Sequence, residues 1–295
     1  MKKKSDRFIH ILFTLPAFLL FLLLFIVRLI SGMYYGITDW KGFNNDFNIV
    51  GLSNYTEFLG DRQAMSALKF SLVYTVLLTV FVLAAATFLA LILTNGNLSF
   101  RTKKAFRTIY FFPAILSLIV VGLIWNEIFY RALPLIGEML NIEFLKTNIL
   151  ASKNTAMFGI LIVNVWQGVA IPFVMITAAM QNVPTDLYEC AELEGIKPLK
   201  KFTHITFPFI IPTFNVALVL TVRSGLTVFD YIQVLTKGGP GGSTRSIGLF
   251  IYEEGIINMN YGYSTAASII LMVIGSGMCS QQSPKIREWS HNVLL

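Results

Sequence analysis

Long apolar runs alternate with short polar segments along the whole chain. The runs fall at about residues 8–30, 67–93, 106–129, 155–180, 206–228 and 261–279. At ~1.5 Å of helix per residue the first five exceed the ~30 Å of a bilayer's hydrocarbon core, and the last is near the minimum. The pattern predicts an all-α, polytopic membrane protein with six transmembrane helices. Residues 1–7 precede the membrane domain at 8–281, and residues 282–295 form a tail. The first run is longer than the hydrophobic part of a signal peptide and lacks a small-residue cleavage site, so it reads as a retained helix.

The polar segments set the orientation. Those at 2–7, 101–107 and 197–201 are basic, with Asp6 the one acid among them, whereas 38–65 and 130–154 mix both charges. Positive residues gather on the cytoplasmic side, which places both termini inside. Trp40 and Tyr55 are expected as interfacial anchors of the first external loop. Within the helices, Ala84, Ala85, Ala86 and Ala90 would admit a close neighbour, and Pro113 would kink the third helix. The Gly-rich stretch after Asp230, residues 236–246, is expected outside.

Composition narrows the function classes. Of 295 residues 55% are hydrophobic and only 13% charged, yet the formal net charge is +7. In a membrane protein that excess reports loop orientation, and no basic stretch interleaved with exposed aromatics points to nucleic acid. Cys190 and Cys279 cannot form a disulfide framework, and His10, His204 and His291 are too scattered for ligand spacing, so no metal site is expected. No nucleophile, base or metal constellation marks an enzyme.

The stretch from 182 to 208 is the most specific part of the chain. Pro184 cannot continue the preceding helix, Thr185 can cap a new one over 186–193, Asp186 and Glu189 suit its positive end, and Gly195 can stop it. Pro198 breaks the backbone again. The order Glu189-Cys190-Ala191, Glu194-Gly195 and Ile205-Thr206-Phe207-Pro208 resembles the EAA loop of the inner-membrane subunits of ABC importers, with Cys190 where that family usually has Ala. The ITDW stretch at 37–40, Gly51-Leu52-Ser53-Asn54-Tyr55, Phe111-Phe112-Pro113 and Phe229-Asp230 followed by Leu235-Thr236-Lys237-Gly238-Gly239-Pro240-Gly241 extend the match. Together they are similar to the carbohydrate-importer permeases of the maltose type, and to the first permease of the pair.

The resemblance implies a type I importer permease fold in the cytoplasmic membrane, surrounded by membrane lipid. It also implies a second permease subunit as heterodimer partner, two ATP-binding subunits, an extracytoplasmic solute-binding protein and a sugar substrate. No GxxxxGK[ST] motif is present, so no cofactor is expected on the chain itself, and ATP is used by partner subunits. The implied ATPase contact is Glu189, Cys190, Ala191, Glu194 and Gly195. The implied substrate path is Asn164, Gln167, Gly168 and Ile171 on the fourth helix, with Thr221, Ser224 and Gly225 on the fifth. Asn and Gln amides both donate and accept, as sugar hydroxyls require.

Arg223 joins that path from physical reasoning. The family usually has a small or apolar residue there, and a guanidinium inside a membrane needs a partner. It meets either a carboxylate of an acidic sugar or a residue of the partner permease. The tail departs from the family after Gly275-Ser276-Gly277, through either a short last helix or an altered C-terminus. The alternative function, a secondary transporter driven by an ion gradient, would need intramembrane acids, and helices two to five offer only Glu127.

Overall fold

The computed structural model describes residues 2–43, 46–94 and 99–280. The expected tail at 282–295, His291 and the turn at 95–98 lie outside the described residues, as do the side chains of His10 and Cys279. The described chain is helical, with one isolated antiparallel bridge between Thr38 and Ile49.

In chain order the principal helices are α1 (Leu12–Tyr35), α2 (Arg62–Thr94), α3 (Phe100–Ile115) and α4 (Leu118–Met139). Then come α5 (Ala156–Gly168), α6 (Ala170–Gln181), α7 (Thr185–Leu193) and α8 (Phe207–Leu226). Last are α9 (Asp230–Leu235) and α10 (Tyr261–Ser280). Among the described residues five helices are long and apolar enough to cross a membrane, and α5 with α6, bent by 43°, count as a sixth when the pair is taken as one span. The six-helix expectation is met, with different joints.

Two of the expected helices are broken. The third divides at Leu116, whose extended backbone (φ −74°, ψ 143°) ends α3 three residues after Pro113. It then continues through α4 to Met139, well into the stretch expected to be loop. The fourth divides at Val169. Pro172 has no N–H for the Gly168 carbonyl one turn back, so the ladder opens at that joint and the axis bends. The last helix runs from Tyr261 through Ser280, close to the expected 261–279.

The described chain divides into two compact units, residues 2–65 with 251–274 and residues 66–250 with 275–280. In the first, two of the sequence motifs meet. Asn54 is buried and its Nδ2 donates to the Gly36 carbonyl (3.0 Å) and the Thr38 carbonyl (2.8 Å), which satisfies acceptors left over at the end of α1. Trp40 stacks on Tyr35 with centroids 4.3 Å apart. Gly262 passes so close to this turn that a Cβ there would lie 2.0 Å from the Thr38 carbonyl oxygen. Outside the membrane, the Asp39 carboxylate accepts the Asn48 backbone N–H at 2.6 Å, and that bond holds its pKa below the ordinary value.

In the second unit α2 supplies the spine of the core. Tyr74, Leu78, Val82, Ala86 and Ala90 recur every four residues and are all buried, so they line one stripe of the helix. Of the small residues expected at a close contact, Ala86 and Ala90 face this core, whereas Ala84 is exposed. Ile160, Val163, Val169, Phe173 and Ile176 of the α5–α6 span belong to the same core, as does Ile210 of α8.

Candidate translocation and coupling surfaces

Polar side chains of the second unit converge in one buried layer. Gln167 is the eleventh residue after the start of α5, ~17 Å along the helix, and Tyr74 is the twelfth after the start of α2, ~18 Å. Gln167 is buried, and its Nε2 donates to the carbonyls of Pro113 (3.0 Å) and Leu116 (2.9 Å). These are carbonyls at the α3 break. Its Oε1 accepts the Tyr231 hydroxyl at 2.6 Å. One amide therefore joins the broken third span, the fourth span and α9. Asn164, one turn earlier, is also buried and donates from Nδ2 to the Tyr74 hydroxyl at 2.9 Å.

Tyr231 reaches this layer because α9 packs into the core of the second unit. Tyr231, Ile232 and Leu235 are buried, and Val234 packs so closely on Gly122 that a Cβ there would lie 2.8 Å from it. The run Tyr-Ile-x-Val-Leu, which precedes the Gly-rich stretch expected outside, is apolar enough to pack into the protein. The glycine-rich turn that follows is folded around buried Thr244, whose hydroxyl donates to the Gly239 carbonyl at 2.7 Å. Gly238, Gly241 and Gly242 adopt φ of +79°, +59° and +79°, values that side chains with a Cβ rarely take.

The expected path residues separate into two groups. Asn164, Gln167, Thr221 and Gly225 are buried. The Thr221 hydroxyl donates back to the Ala217 carbonyl at 2.8 Å, and Gly225 lets α8 cross α2, since a Cβ there would lie 2.8 Å from the Thr75 Cα. Gly168 is half-buried, whereas Ile171, Arg223 and Ser224 are exposed. Arg223 forms no ion pair with the described residues of its own chain. Two partners in this layer, Tyr74 and Tyr231, were missed in the sequence. The available clue was a phenol in an apolar run, whose hydroxyl needs a hydrogen-bond partner.

The 182–208 stretch folds as a braced helical turn. α7 starts at Thr185 itself, with Pro184 as N-cap and no side-chain cap, so Thr185 does not cap it; its hydroxyl instead lies 3.4 Å from Asp186 Oδ1. At the other end Gly195 (φ +65°) closes a Schellman motif, with Ile196 N–H on the Ala191 carbonyl (2.9 Å) and Gly195 N–H on the Glu192 carbonyl (3.0 Å). Ala191 is buried, the Tyr188 hydroxyl meets the Thr206 hydroxyl at 2.8 Å, and Lys201 pairs with Glu192 at 3.0 Å. The opposite side carries exposed Glu189, Cys190 and Glu194. Leu193 is 89% exposed and Leu199 75%. Neither leucine was singled out in the sequence, because exposure of an apolar residue is visible only once the helix face is known.

The fold agrees with what the chain is similar to. Residues 85–280 match the family described as binding-protein-dependent transport system inner membrane component, and the chain belongs to that family. It is a multi-pass membrane permease subunit and not an enzyme. The multiple sugar-binding transport system permease protein MsmF of Streptococcus mutans is 32% identical over 93% of both chains. The sn-glycerol-3-phosphate transport system permease protein UgpA of Agrobacterium fabrum is 28% identical over 91% of both. Among solved structures, a bacterial ABC transporter that imports the acidic polysaccharide alginate has a chain with the same fold. Its TM-score is 0.83 at 23% identity, over 97% of this chain and 98% of that one.

Gln167→Leu removes the donor from both carbonyls and the acceptor from Tyr231, and is expected to cost about 1–3 kcal/mol, with Tyr231→Phe costing less. Because the two side chains share one bond, the double variant should cost less than the sum. Thermal unfolding of the purified chain measures all three, and strict additivity would contradict the shared network.

Proposed function

We propose that the chain is the non-catalytic permease subunit of an ATP-driven sugar uptake system. It contributes half of the translocation path and pairs with a second permease in the cytoplasmic membrane. Two ATP-binding subunits act from the cytoplasm and an extracytoplasmic solute-binding protein delivers substrate. Sugar as substrate class rests on the name of the MsmF relative. ATP is consumed by the partners.

The observation that carries this reading is the asymmetry of α7. One side is tied to the membrane helices by Ala191, the Tyr188–Thr206 pair and the Lys201–Glu192 bridge. The other offers Leu193 almost fully exposed, flanked by the carboxylates of Glu189 and Glu194. A braced helix with an uncovered leucine suits a cleft on another protein, and a stiff element of this kind can pass on a rigid-body movement. Glu189 and Glu194 face basic groups there, and Cys190 and Gly195 keep the helix small and short. An ion-gradient mechanism is less well supported, because Glu127 is exposed and paired with Arg131 at 3.1 Å.

For the path itself, the buried Asn164 and Gln167 set the geometry, with Thr221 and Gly225, while Gly168, Ile171 and Ser224 offer surface. Arg223 has no acid of its own chain to meet and cannot face lipid without cost. We assign it to a pairing with an acidic group of the second permease.

Leu193→Asp should leave the level of membrane-inserted chain unchanged and lower uptake by about tenfold or more, the loss of a single interface anchor. Whole-cell uptake beside immunoblotting tests this, and unchanged uptake would sink the docking role. Arg223→Gln should lower uptake of neutral and acidic sugars alike. A loss confined to acidic sugars would place Arg223 on the substrate instead.

A further inference from the structure

A cavity of about 820 Å³ opens along α3, from Lys103 to Ile115, beside Val174 and Gln181 of α6. Its lining changes character along its length. Lys103, Lys104, Arg107 and Thr108 form one end, and Phe111, Phe112, Ile115 and Val174 form the other, with Gln181 beside the mouth. On α3 the positions 104, 108, 111 and 115 follow helical spacing, so the polar and apolar parts are successive levels of one face. From Lys103 to Ile115 is ~18 Å of helix axis, about the distance from a lipid headgroup into the acyl region.

The charges are one-sided. No acidic residue lines the cavity, and none of Lys103, Lys104 and Arg107 takes part in an ion pair among the described residues. No acid stands in the first turn of α3 either. Cations grouped near the positive end of a helix repel one another and favour an anion placed between them. The large apolar side chains beside them, Phe112 at 57% and Ile115 at 71% exposure, call for a hydrocarbon neighbour. A soluble anion satisfies the first requirement and not the second.

We propose that this cavity holds one anionic phospholipid, its phosphate between Lys103, Lys104 and Arg107 and its acyl chain along Phe111, Phe112 and Ile115. Gln181 stands four residues before α7, so the lipid sits at the membrane end from which that helix emerges. The site depends on membrane insertion and not on which substrate is carried or which ATPase is bound.

The test compares lipid retention by the full chain, purified in its complex and analysed by native mass spectrometry after exposure to dioleoyl phosphatidylglycerol or dioleoyl phosphatidylcholine. Three cations near one headgroup favour a negative charge there, so the wild type should keep the anionic lipid at least about tenfold better. K103Q/K104Q/R107Q should bring retention down to the phosphatidylcholine level. R101Q/K197Q/K200Q removes the same charge outside the cavity and should keep the preference. Equal retention of the two lipids, or equal losses in both triple variants, would overturn the proposal. So would displacement of the bound lipid by millimolar inorganic phosphate, which indicates a soluble-anion site, or crosslinking of Phe112 to the second permease.

Discussion

The amide of Gln167 is the interaction on which the second unit of this chain depends. A helix broken inside a membrane leaves carbonyls that water cannot reach, and each costs free energy unless another protein group supplies a donor. The break after Pro113 is tolerated because Gln167 meets the Pro113 and Leu116 carbonyls together, and its own oxygen is satisfied by Tyr231. The same residue thus permits the break in the third span and fixes α9 against it. Asn164 and Tyr74 repeat the arrangement one turn away. Polar groups that could be read as sugar ligands are, within this chain, the fasteners of three elements.

That double character bears on transport. A path through a helical protein needs polar groups at mid-depth, yet each must be paired when no substrate is present. Here the amides are paired internally, and the exposed face of the same region carries Ile171, Arg223 and Ser224. The path proposed for this permease then belongs to two chains, with this one contributing a preorganised wall. In the proposed mechanism force enters at the other end of α8, where α7 is braced through Thr206 and Lys201. Because α8 continues from that brace to the crossing with α2 at Gly225, one helix links the coupling turn to the polar layer.

Much of the fold was legible in the sequence because the bilayer imposes a length and an apolar composition on each span. The six spans follow from those two constraints, and Gly195 as the end of α7 follows from the backbone freedom of glycine. What was not legible has a common cause. Leu116 breaks the third helix only because Gln167, fifty-one residues later, satisfies its carbonyl. The apolar run at 231–235 turns inward only because Gly122 leaves room for Val234. The capping role assigned to Thr185 failed because Pro184 already fixed the backbone entering the helix. Local pattern cannot carry such long-range pairings, nor can it tell which side of α7 stays uncovered.

The composition of the complex that forms around the full chain in its own membranes is the most direct measure of the account. Mild solubilisation and intact-mass determination should find this chain once, a second and different permease once, and an ATP-binding subunit twice. A lone homodimer that transports sugar without any ATPase would contradict it.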